Sequence, residues 1–168
     1  ELGRVPRLVI SQPDRPRGRG RSGKAPYAVD EALCHGLDCL QTEDINAPEV
    51  AERLRSSGIG TLVVAAFGQI LKQPLLDSVT CLNIHASLLP RYRGAAPVER
   101  ALMAGEPVTG VTIMRITQEL DAGPWAEKVE VSVGLREDGG DVYRILAATG
   151  AVAMANVLTA IEDGTVSW

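Results

Sequence analysis

Thr61-Leu62-Val63-Val64-Ala65-Ala66 is the stretch on which the fold turns. Six residues without a charge, half of them β-branched, suit a strand covered on both faces, as strands of parallel sheets are. A helix is expected just upstream over Ala47–Ser57. Pro48 fits its first turn, where a missing N–H costs nothing, and Gly58 supplies the stop. Downstream, a helical turn over Leu71–Ser78 leads into a second strand, Thr80-Cys81-Leu82-Asn83-Ile84. The same rhythm precedes both: a short strand at Arg7–Ser11, a helix at Tyr27–His35 and a strand at Leu37–Gln41. Strands alternating with helices predict an α/β fold with a doubly wound, mostly parallel sheet.

The second half reads differently. A helix begins near Pro97 within Gly94–Gly105. Two longer strands, Thr112–Ile116 and Trp125–Val133, are joined through a loop at Asp121. A closing helix runs from Asp138 or Asp141 to about Glu162, with Gly164 as its stop. At 168 residues the chain suits one domain with a full core. No apolar run reaches the length needed to span a bilayer, and no signal-peptide pattern is present. Cys34, Cys39 and Cys81 are odd in number and lack Cys-x-x-Cys spacing, so reduced thiols are expected over disulfides or zinc. These features describe a cytoplasmic globular protein.

Charge is unevenly spread. Residues 1–24 carry seven basic groups against two acidic ones, while the remainder carries ten against nineteen. The basic groups concentrate in Gln12–Pro26, a span with three prolines and three glycines that reads as a loop. A basic segment on an acidic body fits a polyanionic partner engaged at one place, or else a solvated loop. Within it Gly18-Arg19-Gly20-Arg21-Ser22-Gly23-Lys24 satisfies a phosphate-loop pattern, but Ala25 follows where Ser or Thr is needed for magnesium.

The chain has two histidines, and one of them, His85, follows Asn83 by two positions at the end of a predicted strand. Residues at i and i+2 of a strand share a face, so both can point into one space. In a doubly wound sheet the ligand crevice lies outside such strand ends. An amide donor, an imidazole and a distant carboxylate, Asp121 in Leu120-Asp121-Ala122-Gly123, form a workable acyl-transfer set. Read singly, His85 suits a hydrogen-bonded structural role and Asp121 a turn.

Four segments in order carry a broader likeness: Gln12-Pro13-Asp14-Arg15-Pro16 with its basic loop, Val63 to Leu71, Asn83-Ile84-His85 with the tail Ser87 to Pro97, and Leu120-Asp121-Ala122-Gly123-Pro124. Together with Thr109–Met114 they resemble the folate-dependent formyltransferases, and among these the branch that formylates methionyl-tRNA. The resemblance runs from about Val9 to the end of the chain. It implies formyl transfer from 10-formyltetrahydrofolate to the amino group of initiator methionyl-tRNA, with Asn83, His85 and Asp121 catalytic. It implies folate contacts at Phe67, Gly68, Gln69, Ile70, Leu71, Leu120 and Gly123, although Phe67 and Ile70 read equally as core. Ser87 either offers a hydroxyl near the substrate or caps the following turn. Arg15, Arg17, Arg19, Arg21 and Lys24 match the insertion that grips the tRNA acceptor end. Arg91 and Arg93 extend that surface or pair with acids such as Glu99. Neither a metal, a membrane nor DNA is among the partners so implied.

Two departures accompany the likeness. Family members place a strand, a turn and a helix ahead of the segment equivalent to Val9, so the family's first strand is missing here and its sheet neighbours should show open edges. The family's C-terminal β-barrel domain is also expected to be absent. Alternatives are therefore a formyltransferase acting on a small amine, such as a sugar nucleotide or glycinamide ribonucleotide, a non-catalytic folate- or RNA-binding fragment, or hydrolysis of the formyl donor. The basic loop argues against the small amine.

Overall fold

In the computed structural model, residues 3–16, 23–134 and 136–168 are described. The chain forms β1 (Val9–Ser11), β2 (Arg15–Pro16), β3 (Gly23–Lys24), α1 (Tyr27–Cys34), β4 (Cys39–Gln41), α2 (Pro48–Ser56) and β5 (Thr61–Val64). There follow α3 (Leu75–Ser78), β6 (Thr80–His85), α4 (Pro97–Met103), β7 (Val108–Arg115), β8 (Trp125–Ser132) and α5 (Gly139–Glu162). Contacts divide it into two compact units, residues 3–59 with 67–70, and residues 60–66 with 71–168.

In the first unit β1 and β4 pair in parallel, Val9 opposite Cys39 and Ser11 opposite Gln41, with α1 packed against both. Helix α2 starts on Pro48 as expected and buries Val50 and Leu54, one turn apart on a single face. The span expected to be irregular contains a hairpin stem: β2 and β3 pair antiparallel, Arg15 opposite Lys24 and Pro16 opposite Gly23. Proline and glycine density hid it, yet a two-stranded stem has only edges, where a proline without an N–H is tolerated.

The second unit is a four-stranded sheet in the order β5-β6-β7-β8. Strands β5 and β6 run parallel, whereas β6–β7 and β7–β8 are antiparallel, so the α/β alternation ends in a meander. Among the described strands β1 bonds only to β4 and β5 only to β6. Helix α5 covers β6, β7 and β8. Leu82 and Ile113 meet Ala153, Met154 and Val157, and a second cluster joins Val98, Val111, Val142 and Leu146, with Ile84 touching both. Gly150 lets the helix lie close on β6, for a Cβ there would stand 2.6 Å from Ile84 Cγ2.

The choice between Asp138 and Asp141 as the start of α5 resolves to both. Asp138 caps the helix, its side chain accepting from the Asp141 N–H, while the Asp141 side chain accepts from the Asp138 N–H. By length and composition α5 is also apolar enough to cross a bilayer. This corrects the expectation that no apolar stretch reaches that length: Thr149, Gly150, Asn156 and Thr159 interrupt the stretch in sequence without lowering its overall apolar character. One face of the helix lies on the sheet, as in the core helix of a globular domain.

Candidate active site

Strand β6 runs between β5 and β7, and its last residues include the candidate site residues Asn83 and His85. Asn83 stands opposite Val64 and Met114, and His85 opposite Thr112, so both side chains leave the same face. No described residue hydrogen-bonds the Asn83 amide, which leaves its donors available.

His85 is buried and held on both ring nitrogens. Its Nε2 lies 3.1 Å from the Tyr92 carbonyl oxygen. A carbonyl only accepts, so Nε2 carries a hydrogen and donates. Nδ1 faces Asp121 Oδ2 at 3.6 Å, within ion-pair range but long for a hydrogen bond. Asp121 reaches this place from a left-handed backbone conformation, φ +47°, which aspartate tolerates better than most residues. The same Oδ2 accepts a 2.8 Å bond from the Gly94 N–H. The turn from Leu89 to Gly94 thus touches both members of the His–Asp pair.

That turn is fastened from several sides. Ser87 is fully buried and donates its hydroxyl to the Arg91 carbonyl at 2.6 Å. Of its two expected roles, capping the turn is the one its geometry supports. Thr112, also fully buried, donates to the Ser87 carbonyl at 2.7 Å and accepts from the Leu89 N–H at 3.1 Å. Arg100 of α4 donates to the carbonyls of Tyr92 at 2.8 Å and Arg93 at 2.6 Å. The Tyr92 phenol donates to Glu106 at 2.7 Å, and Arg91 pairs with the same carboxylate. The donated phenol proton holds Glu106 below the usual glutamate value and, because that carboxylate accepts it, lifts Tyr92 above the usual tyrosine value. Arg91 and Arg93 do pair with acids, although with Glu106 and Glu119. Glu99 is taken by the Tyr143 phenol, at 2.9 and 3.0 Å.

Leu120 is largely exposed and flanks the turn, its Cδ2 lying 3.6 Å from where a Cβ on Gly94 would stand. At Gly123 a Cβ would fall 2.0 Å from the Arg115 carbonyl oxygen, so only glycine lets this loop close onto β7. In the first unit, the Phe67–Ile70 stretch is tied down by side-chain bonds. Gln12 donates to the Phe67 carbonyl at 2.6 Å, Asn46 donates to the Ile70 carbonyl at 3.0 Å, and Gln69 both accepts from the Ile45 N–H and donates to the Thr42 carbonyl. Gly68 has φ +77°. Ile70 is exposed, against a pure core role, while Leu71 is buried. Arg15 is exposed on β2, and Arg17, Arg19 and Arg21 lie outside the described residues. No group of three metal-ligating side chains occurs among the described residues.

Sequence reasoning quoted Tyr92, Gly94 and Thr112 inside motifs without giving them roles, and passed over Arg100 and Glu106. A threonine in the otherwise apolar run Val111-Thr112-Ile113-Met114 was the available signal, since a buried hydroxyl needs partners.

The α/β fold, whose sheet carries the buried His85 at the end of β6, is that of the formyltransferases. The family description "Formyl transferase" matches residues 4–158, and the chain belongs to that family. It is 43% identical over 157 residues to the methionyl-tRNA formyltransferase of Thiobacillus denitrificans, covering 92% of this chain and 51% of that protein. It is 45% identical over 159 residues to the methionyl-tRNA formyltransferase of Methylococcus capsulatus, covering 93% and 51%. The chain thus spans about half the length of the curated relatives it matches. Among solved structures it is similar to glycinamide ribonucleotide transformylase 1 from Symbiobacterium toebii, with a TM-score of 0.77, 26% identity, and coverage of 94% of this chain and 74% of that one.

Proposed function

We propose that the chain carries the formyl-transfer site of a methionyl-tRNA formyltransferase, with 10-formyltetrahydrofolate as donor and co-substrate. The observation that supports it best is the buried His85 facing Asp121, both fastened to one turn, beside an Asn83 amide with free donors. In the reaction the amine of the methionyl group attacks the formyl carbon. Its lone pair forms the new C–N bond, and the carbonyl oxygen takes the negative charge. Asn83 donates to that oxygen. Collapse re-forms the carbonyl and breaks the bond to the folate N10, which leaves with a proton while the attacking nitrogen loses one.

Proton traffic falls to His85 and Asp121. Nε2 keeps its hydrogen on the Tyr92 carbonyl at 3.1 Å, whereas Nδ1 is only loosely paired at 3.6 Å, so Nδ1 is the nitrogen that takes up and then releases a proton. Folate contacts are assigned to the tied-down Phe67–Ile70 stretch with Leu71, and to Leu120 and Gly123 of the Asp121 loop. Ser87 supports the turn beside His85. The Arg15–Lys24 segment grips tRNA phosphates through salt-sensitive contacts that read no sequence. A cytoplasmic location accompanies this role.

The experiment is formyl transfer by the 168-residue chain, from 10-formyltetrahydrofolate to methionyl-tRNA and, separately, to glycinamide ribonucleotide. Transfer to the tRNA is expected. Transfer to the small amine alone would move the chain to the second acceptor class, named for the Symbiobacterium protein. Loss of formyl donor without an acceptor would indicate hydrolysis, and donor binding without turnover a non-catalytic domain.

A further inference from the structure

We infer that Arg100 is a positioning residue that fixes the orientation of the His85 ring by pinning the carbonyl on which that ring hangs. The inference rests on the reading of His85 as the proton-moving group.

Arg100 makes an unusual set of contacts. Its Nη2 donates to the Tyr92 and Arg93 carbonyls at 2.8 and 2.6 Å, and its Nε reaches the Ala96 carbonyl at 3.3 Å. No carboxylate pairs with it among the described residues. Glu99 is bound to Tyr143, Glu106 to Tyr92 and Arg91, Glu119 to Arg93, and Asp121 to Gly94 and His85. A permanently charged fork therefore spends its donors on successive carbonyls of one turn, with its carbon 5.6 Å from the centre of the Tyr92 ring. The turn needs such a fastening. Tyr92 and Ala96 both adopt left-handed backbone, φ +58° and +51°, which a side chain with a Cβ disfavours.

The consequence reaches His85 through one atom. The Tyr92 oxygen has two lone pairs, and takes one bond from Arg100 and one from His85 Nε2. While the carbonyl stays in place the ring keeps its proton on Nε2 and turns Nδ1 to Asp121. If it swings away, Nε2 loses its acceptor and the ring can flip or change tautomer. Lysine cannot substitute fully, since its single nitrogen cannot hold the Tyr92 and Arg93 carbonyls as Nη2 does and also reach the Ala96 carbonyl as Nε does.

The test compares Arg100→Met and Arg100→Lys with the parent, all in a His35→Asn background so that one histidine remains. Ring nitrogen-15 chemical shifts of His85 are measured, with kcat and KM for formyl transfer and the melting temperature. Expected in the parent is a ring protonated on Nε2. In Arg100→Met that signal should change, and kcat should fall about 10²-fold, the scale of a catalytic group displaced by an ångström. KM for the donor and the melting temperature should stay near parental values, with Arg100→Lys intermediate in kcat. Unchanged ring shifts in Arg100→Met would overturn the inference. So would losses of kcat, donor binding and melting temperature in parallel with no recovery by lysine, the pattern of a merely structural residue. A parent without transferase activity would sink the proposed function alone, because the ring shifts still decide whether Arg100 orients His85.

Discussion

The turn beside His85 and the hairpin at Arg15 serve the two halves of the proposed activity, and they are built on opposite plans. In the turn nearly every polar group is spoken for: His85, Ser87, Thr112, Arg100 and Asp121 each bond to its backbone or to one another. At the hairpin, strands of two residues carry an exposed arginine, with positions 15 and 24 directly opposite. Chemistry at a formyl carbon demands atoms fixed to a fraction of an ångström, whereas a phosphate can be met by any cation within reach.

The strongest way to break this contrast is at the fixed end. His85→Ala should lower kcat by about 10²–10⁴-fold, the usual worth of a positioned acid–base group, while donor binding survives. Asn83→Ala should cost about 10²–10³-fold through the lost oxyanion donor. Turnover near parental in either variant, measured with saturating donor, removes that residue from the chemistry. Gly123→Ala should damage the fold itself. Its Cβ would stand 2.0 Å from a backbone oxygen and 3.0 Å from Thr117 Cγ2, and backbone cannot retreat as a side chain can. A loss of about 2–4 kcal/mol in denaturant unfolding is expected, and an unchanged midpoint would mean the loop has another closed conformation.

The hairpin end should respond more gently. Replacing Arg17, Arg19 and Arg21 by Ala should raise KM for methionyl-tRNA and leave kcat alone. The logarithmic salt dependence should flatten by about 0.7–0.9 for each phosphate contact removed. A change confined to the donor KM would refute the tRNA role of the loop.

What the sequence disclosed follows the same division. The Asn83–His85 placement was readable because an apolar run fixes a strand and period two fixes its faces. The start of α5 was narrowed to Asp138 or Asp141, and the structure uses both as a capping box, a pairing their spacing of three allows. The fastening of the turn was not. Its bonds join His85 to Tyr92, Ser87 to Thr112 and Gly94 to Asp121, over separations of 7, 25 and 27 residues, and no periodicity links residues so placed. The paired stem at Arg15 was hidden for a local reason: proline and glycine mark turns, and two residues are too few to show alternation.

The smallest effect belongs to the outer side of the turn, where the Tyr92 ring meets Glu106. The carbonyl of Tyr92 serves the site and its phenol serves the surface, so Tyr92→Phe should leave kcat within about twofold, because the backbone that meets His85 is kept. Its signature is in pH dependence. Glu106 titrates below its ordinary value chiefly because the phenol donates to it, so its contribution is present above the ordinary glutamate value of about 4.3 and is lost as pH falls through the lower folded value. Tyr92 titrates above its ordinary value chiefly because of the same bond, so its contribution is present below about 10 and is lost as pH rises through the higher folded value. The parent should therefore melt slightly above Tyr92→Phe on a plateau between those limits, and the two curves should converge in acid and in alkali. A difference that persists below the titration of Glu106 would show that the phenol holds the turn by packing instead of by its hydrogen bond. A large fall in kcat would show that the ring, and not only the carbonyl, belongs to the fixed side of the contrast.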